Sequence, residues 1–348
     1  MRVYIPNLKS DNILEIIETF DTYYKNIEKE FETTGSVIVV SLDFCNVYNF
    51  EPFAMLVCVK FVRNCQKKEY IKTQYSPQNL TYEKHGYGGS MQFFSSMGIP
   101  YGKAINERLG SGNHLPVTIL SKDQVRKQFV EKSTDFNTEL INISTCYAKI
   151  LTRNSPEATI GISFVIREML RNVFEHSGDD KAIVCAQYWK KKDLVELAIS
   201  DSGIGVYESL ANNENFADIV LNNKNAIEYA LKPGVSKISV QNIKNHRINP
   251  HDNSGFGLYI ASELCTSLGG SFLIHSQDTI FVKGEVDAEY YEKIADIFSG
   301  TTIKMTLKPS LLNNYEAIFN DILTSGEEKA LAFENAISKA STLSKSMK

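Results

Sequence analysis

Two short glycine-bearing turns constrain this chain more than any other feature. The apolar segment "LVELAIS" (194–200) has strand character and runs into "DSGIG", which places Asp201, Gly203 and Gly205 at a strand end. A polar stretch from 206 to 253 follows. "NSGFGLYIASELCTSLGG" then starts with Gly255 and Gly257, carries apolar residues at helical spacing (Leu258, Ala261, Leu264, Leu268), and closes with Gly269-Gly270. A strand ending in an acid-glycine turn and a helix opened by Gly-x-Gly bring two kinds of polar group to element ends. The strand end supplies a carboxylate, and the helix start offers backbone N–H groups to an anion. A connection as long as the one between them, inside a compact domain, reads as a functional loop.

A third segment, "REMLRNVFEHSG" (167–178), lies upstream. Met169, Leu170, Val173 and Phe174 give it a core face. Glu168, Asn172 and His176 recur every four residues and share one stripe of the same helix. An acid, an amide and an imidazole in a row are costly to bury, so the stripe is either a hydrated face or the wall of a site. "KAIVCAQYWK" (181–190) and "LVELAIS" read as an antiparallel strand pair, and "SFLIHS" (271–276) and "GTTIKMTL" (300–307) as further strands separated by an insertion. Each motif alone is weak, since Asp-x-Gly-x-Gly occurs in many turns. Their order is the informative part.

In that order the segments resemble the GHKL ATP-binding fold, shared by gyrases, histidine kinases, anti-sigma-factor kinases and mismatch-repair ATPases. "EMLRNVFEH" is similar to the N box, "DSGIG" to the G1 box, "SGFGL" to the G2 box and "GTT" to the last adenine-side strand, over about residues 116 to 310. The acid-x3-amide-x3-His form is most similar to that of the anti-sigma-factor serine kinases. The resemblance implies a Bergerat-type α/β sandwich holding ATP and Mg²⁺ under a mobile lid. It implies that Asn172 offers its amide oxygen to Mg²⁺ and that Asp201 accepts from the adenine exocyclic amine. Gly203 would let the backbone approach the base, and Gly255 and Gly257 would turn N–H groups toward the phosphates. Gly205, Leu258 and Thr301 or Thr302 complete the nucleotide set, and Glu168 is the catalytic candidate, orienting or deprotonating a water or hydroxyl. His176 packs or caps the helix end. Lys232, Lys237, Lys244 and Arg247 of the presumed lid either reach the γ-phosphate or form a solvated loop face.

The N-terminal block predicts a small α/β unit: a helix over 10–30, a strand at 37–44, a helix at 52–65, a strand at 70–75 and a short helix at 90–98 closed by Gly98. "VIVVSLDFCNVYNFEPFAMLVCVKF" and "MQFFSSMGI" resemble the centre and later helix of STAS domains, the partners of anti-sigma-factor kinases. In that family the loop before the helix often carries a Ser or Thr phosphoacceptor. Here no Ser or Thr occurs from Leu42 to Lys72, which points to a docking or dimerisation module and not to a substrate. The helix from Pro52 to Cys65 is apolar on more than one face. Its surplus either meets the ATP-binding domain, a second copy or a separate protein, or is sandwiched in a larger core. The expected organisation is 1–110, a connection at about 106–116, an ATP-binding domain to 310, and a helical tail over 311–348.

The 348 residues carry a net charge of −4, which implies no general nucleic-acid electrostatics. No apolar run is long enough for a membrane, and the N-terminus shows no signal-peptide pattern. Six scattered cysteines without a CxxC pair suit reduced thiols in a cytoplasm and argue against structural zinc. Three outputs remain open. They are a partner-switching protein serine/threonine kinase acting on a STAS-type or sigma-factor regulator, an ATP hydrolase driving a dimerisation switch, and a non-catalytic ATP/ADP sensor. A histidine kinase fits less well, because 121–177 contains no His besides His176.

Overall fold

The computed structural model describes residues 1–102, 113–153, 155–214, 216–235, 255–284, 287–292, 294 and 297–332. The chain begins by alternating strand and helix: β1 (Arg2–Tyr4), α1 (Ile13–Thr34), β2 (Ile38–Asp43), α2 (Pro52–Gln66) and β3 (Ile71–Tyr75). The three strands pair in parallel in the order β1-β2-β3, with Val3 opposite Leu42 and Val40 opposite Thr73. Ile38, Val40 and Leu42 of β2 are buried while Val39 is exposed, so one face of this sheet carries the helices. Helix α1 stops where Gly35 turns left-handed and donates to the Phe31 carbonyl. Helix α2 starts with Pro52, whose missing N–H is not needed in the first turn.

Two N-terminal expectations need correction. Strand β1 carried no signal at three residues' length. The short helix expected at 90–98 lies earlier, as α3 (Tyr82–Ser90), and Ser95–Met97 forms only a 3-10 turn before Gly98. The glycines of "YEKHGYGGS" hid that helix. Tertiary contacts hold it: His85 is fully buried with Nε2 3.0 Å from the Phe44 carbonyl, and Gly88 lies against the Phe50 ring.

Among the described residues the second sheet has seven antiparallel strands in the order β4-β5-β6-β10-β7-β8-β9. They are β4 (His114–Ser121), β5 (Lys181–Trp189), β6 (Leu194–Ser200), β7 (Phe272–Ser276), β8 (Thr279–Lys283), β9 (Ala288–Tyr291) and β10 (Thr301–Leu307). The insertion before β10 thus supplies two more strands, and β10 enters the middle of the sheet. The stretch from 121 to 151 is two helices, α4 (Lys122–Lys132) and α5 (Phe136–Thr152), the second capped by Asp135, whose Oδ1 accepts from Thr138 N at 3.0 Å. Helices α6 (Pro156–His176), α7 (Gly205–Ala211), α8 (Asn223–Ala230), α9 (Gly257–Ser267) and α10 (Tyr315–Leu331) complete the described elements. The polar stretch after Gly205 therefore holds two helices before residue 236, and the first part of the expected tail packs Tyr315 and Phe319 into the core beside α6 and α9.

The large sheet is covered on both faces. Along β6, Val195, Leu197 and Ile199 join the core with α5, α6 and α9, while Ala198 joins the core of the N-terminal layer. Helix α2 lies across β5, β6 and β10, which explains its apolar surplus: one side serves the small sheet and α1, the other the large sheet. Fully burying each large apolar side chain of this kind contributes roughly 1.5–3 kcal/mol. Polar groups fix the register. Glu196 of β6 accepts from Phe53 N at 2.8 Å and Ser10 Oγ at 2.6 Å, so the large sheet caps the start of α2. From the middle of α2, Lys60 Nζ donates to Thr302 Oγ1 of β10 at 3.2 Å.

Candidate functional site

Helix α6 builds the site because its C-terminal end anchors the acid-glycine turn. The Ser177 carbonyl accepts from Ile204 N at 2.7 Å. A Cβ on Gly203 would fall 2.0 Å from that same carbonyl oxygen. Gly203 is thus required by the turn's contact with Ser177, whatever else it admits. The turn holds Asp201 at the end of β6, where Oδ1 accepts from Gly203 N at 2.8 Å and the backbone N donates to Thr301 O at 2.9 Å. Burial pushes the Asp201 carboxyl above the usual carboxylate range, and the Lys60 ammonium behind the sheet opposes that rise.

A cleft opens between α6, this turn, α7, α8, the start of α9 and β10. Asn172 and His176 line it from α6, Asp201 and Gly205 from the turn, Gly255, Gly257 and Leu258 from the start of α9, and Thr301 from β10. Val206, Leu210, Ala230 and Val235 form an apolar wall. Of the residues singled out in the sequence, the fold therefore brings together Asn172, Asp201, Gly205, Gly255, Gly257, Leu258 and Thr301. Thr302 is not among them: the strand alternation turns it to the opposite face, where its hydroxyl meets Ser200 Oγ at 2.7 Å.

Glu168 also stands outside the cleft wall. Its Oε1 accepts from Arg167 Nη2 at 2.7 Å and Nε at 3.2 Å, and Arg171 Nη1 lies 3.6 Å away. All three side chains are buried. Gly257 explains the placement: a Cβ there would lie 2.8 Å from Glu168 Cβ, so α9 starts directly over this acid. The arginines engage Oε1, while Oε2 lies on the side of Gly257, 3.5 Å from where a Cβ on that glycine would stand.

The apolar wall from α7 and α8 lies in a segment whose polar composition reads as loop. The signal was there, in the helical spacing of "NAIEYALK" and in Asn222, whose Oδ1 caps α8 at Asn225 N, 2.9 Å away. Lys60 had a fainter signal: a single charge inside "MLVCVKFV". Of the four lid cations, Lys232 lies with its ammonium 4.0 Å from the Tyr229 ring centre. Lys237, Lys244 and Arg247 fall outside the described residues.

No curated protein and no solved structure matches this chain. Among the described residues no helix is long and apolar enough to cross a membrane. The family comparison agrees with the geometry: residues 157–310, which run from α6 through β10 and enclose the cleft, match the histidine kinase-, DNA gyrase B- and HSP90-like ATPase family, and this part of the chain is an ATPase domain of that GHKL type.

Proposed function

We propose that the cleft binds Mg-ATP and that the chain is a signalling regulator of the partner-switching kind, moving the γ-phosphate to a Ser or Thr of another protein. The observation that carries the ATP reading is the convergence of Asn172, Asp201, Gly257 and Thr301, from four separate elements, on one cleft. Asp201 is an acceptor for the adenine amine at the closed end, and the apolar wall of Val206, Leu210 and Val235 suits the base. The N-terminus of α9 directs its dipole and first N–H groups at the phosphates. Mg²⁺ fits the same wall. Asn172 would contribute an oxygen donor, with phosphates and water completing the shell. Bound there, the ion neutralises phosphate charge. The kinase output rests on the acid-amide-His pattern of α6, with Glu168 as the base.

The N-terminal layer, residues 1–110, is in this proposal a STAS-like docking module. Its parallel sheet with crossover helices supports that reading, as does a loop before α2 that lacks Ser and Thr. A second output, the non-catalytic ATP/ADP sensor, is favoured by one observation: Glu168 is held by Arg167 and Arg171. Incubating the full chain with γ-labelled ATP and candidate regulators separates these outputs. Label on a protein supports the kinase, free phosphate a hydrolase, and neither the sensor. Failure to bind ATP at all refutes the whole proposal.

A further inference from the structure

Arg167 is a buried charge that does not itself line the cleft. It precedes Glu168 in α6 and is 6 % exposed. Consecutive helix residues do not face each other, so a bond between these two side chains is not built in by helical spacing. Yet Nε and Nη2 of Arg167 both donate to the same oxygen, Glu168 Oε1, at 3.2 and 2.7 Å. A fork closed on one carboxylate oxygen leaves the other unspent. Among the described residues no hydrogen bond reaches Glu168 Oε2, and that oxygen lies on the side of Gly257, in the cleft wall where α9 begins.

The second arginine spends its donors elsewhere. Arg171 Nε and Nη2 donate to Glu175, each at 3.2 Å, and its Nη1 approaches Glu168 only to 3.6 Å. Arg167 is also fixed from behind. Its guanidinium carbon lies 5.0 Å from the centre of the Phe164 ring, and Phe164 meets the Phe319 ring of α10 edge-on at 6.2 Å. Helix α10 lies beyond the residues that match the ATPase family. The hold on Glu168 therefore runs from α10 through two aromatic rings to the arginine fork.

We propose that Arg167 is a positioning residue for the transfer step: its fork fixes Glu168 by Oε1 and so presents Oε2 to the nucleophile beside the start of α9. This rests on the reading of the cleft as an ATP site and of Glu168 as its base. In that step the nucleophile's oxygen bonds to the γ-phosphorus, the bridging bond breaks with its electrons going to ADP, and Oε2 takes the nucleophile's proton. A carboxylate free to turn is out of line most of the time, and a displacement of about 1 Å costs ~10²-fold in rate. The pairing with arginine, read this way, prepares Glu168 for chemistry, because it engages one oxygen and leaves the other.

The test uses the full chain, with ATP affinity from calorimetry and turnover of γ-labelled ATP counted as free phosphate plus label on protein. Removing the charge would strand a buried carboxylate, so the variant is Arg167→Lys, which keeps the charge and loses the fork. It is expected to lower kcat ~10-fold or more with KM and ATP affinity unchanged. In a Glu168→Gln background the same substitution is expected to leave the residual turnover unchanged, because the residue it positions is already gone. A parental kcat in Arg167→Lys overturns the proposal. So does a matching loss of ATP affinity, or an equal fall in kcat in both backgrounds, since either assigns Arg167 to the fold. Glu168→Gln alone separates the two layers of inference. If it slows turnover while Arg167→Lys does not, the base stands and the role of Arg167 falls. If it turns over at the parental rate, or if the parent binds ATP without turnover, the base itself falls and the proposal with it. Should Arg167→Lys fail to fold, Phe164→Leu decides. It removes the ring beneath the guanidinium and is expected to give the same pattern, a lower kcat at unchanged ATP affinity. A parental kcat there overturns the proposal.

Discussion

Helices α6 and α2 cover opposite faces of one sheet, and both are buried along most of their length. They handle charge in opposite ways. Helix α6 pairs its charges with one another: Glu168 with Arg167 and Arg171, and Arg171 Nε with Glu175 at 3.2 Å. Asn172 and His176 of the same helix line the cleft. Helix α2 carries one fully buried charge, and everything that stabilises it belongs to other elements. The first arrangement makes a helix that can work at a site without help. The second makes a helix whose electrostatics are meaningful only against its sheet.

The contrast breaks first, and most visibly, at Glu168. Glu168→Gln keeps the shape and an acceptor for Arg167. It is expected to slow ATP turnover or transfer ~10²–10⁴-fold with ATP affinity nearly intact. Turnover at the parental rate would make Glu168 structural, and a parental rate near zero would favour the sensor reading.

The next effect concerns Lys60 and the sign of its titration. Its folded value of about 8 lies below the ordinary 10.5, so the unfolded chain holds more protons between those values. Without nucleotide, this group makes the parent more stable as pH rises through that window, by roughly 3 kcal/mol relative to Lys60→Met. The comparison with Lys60→Met is essential, because the buried thiols Cys58, Cys65 and Cys265 are pushed up and act in the opposite direction at high pH. Parallel pH profiles in denaturant melts would show that α2 buries no titrating charge.

Asp201→Asn is expected to cost about 1–3 kcal/mol of ATP affinity and to narrow the preference for ATP over GTP. An unchanged ratio in competition would remove the carboxylate from base recognition. The smallest effect is expected at Asn172→Ala: a loss of ~10-fold in the Mg²⁺-dependent part of ATP binding, with the fold unaltered. Equal affinity with and without the ion in both proteins would place Asn172 among wall residues only.

Much of the cleft was legible because its parts are local. The acid-glycine turn, the Gly-x-Gly helix start and the polar stripe of α6 each announce themselves within a few residues, and the fold brings them together. Thr301 and Thr302 show the limit: the sequence offers both, and only the strand's register decides which faces the cleft. Glu168 shows another limit, since helical spacing placed it on the stripe with Asn172 but could not foresee its pairing with Arg167. Lys60 stands out in the sequence only as a single charge in an apolar run, because its partner, Thr302, lies far along the chain. The excess apolar surface of α2 was readable, whereas its partner was not, because burial patterns report that a face is covered without saying by what.

Strand β10 has a consequence for how the molecule comes into being. It is the last strand in sequence and the middle strand in space, joining β6 on one side to β7 on the other. As the chain leaves the ribosome, β4-β5-β6 and β7-β8-β9 are therefore two half-sheets with unpaired inner edges until residues 301–307 arrive. A nascent chain arrested before β10 would expose two open edges, a prime target for chaperones and proteases, and the insertion of one seven-residue strand would close both at once.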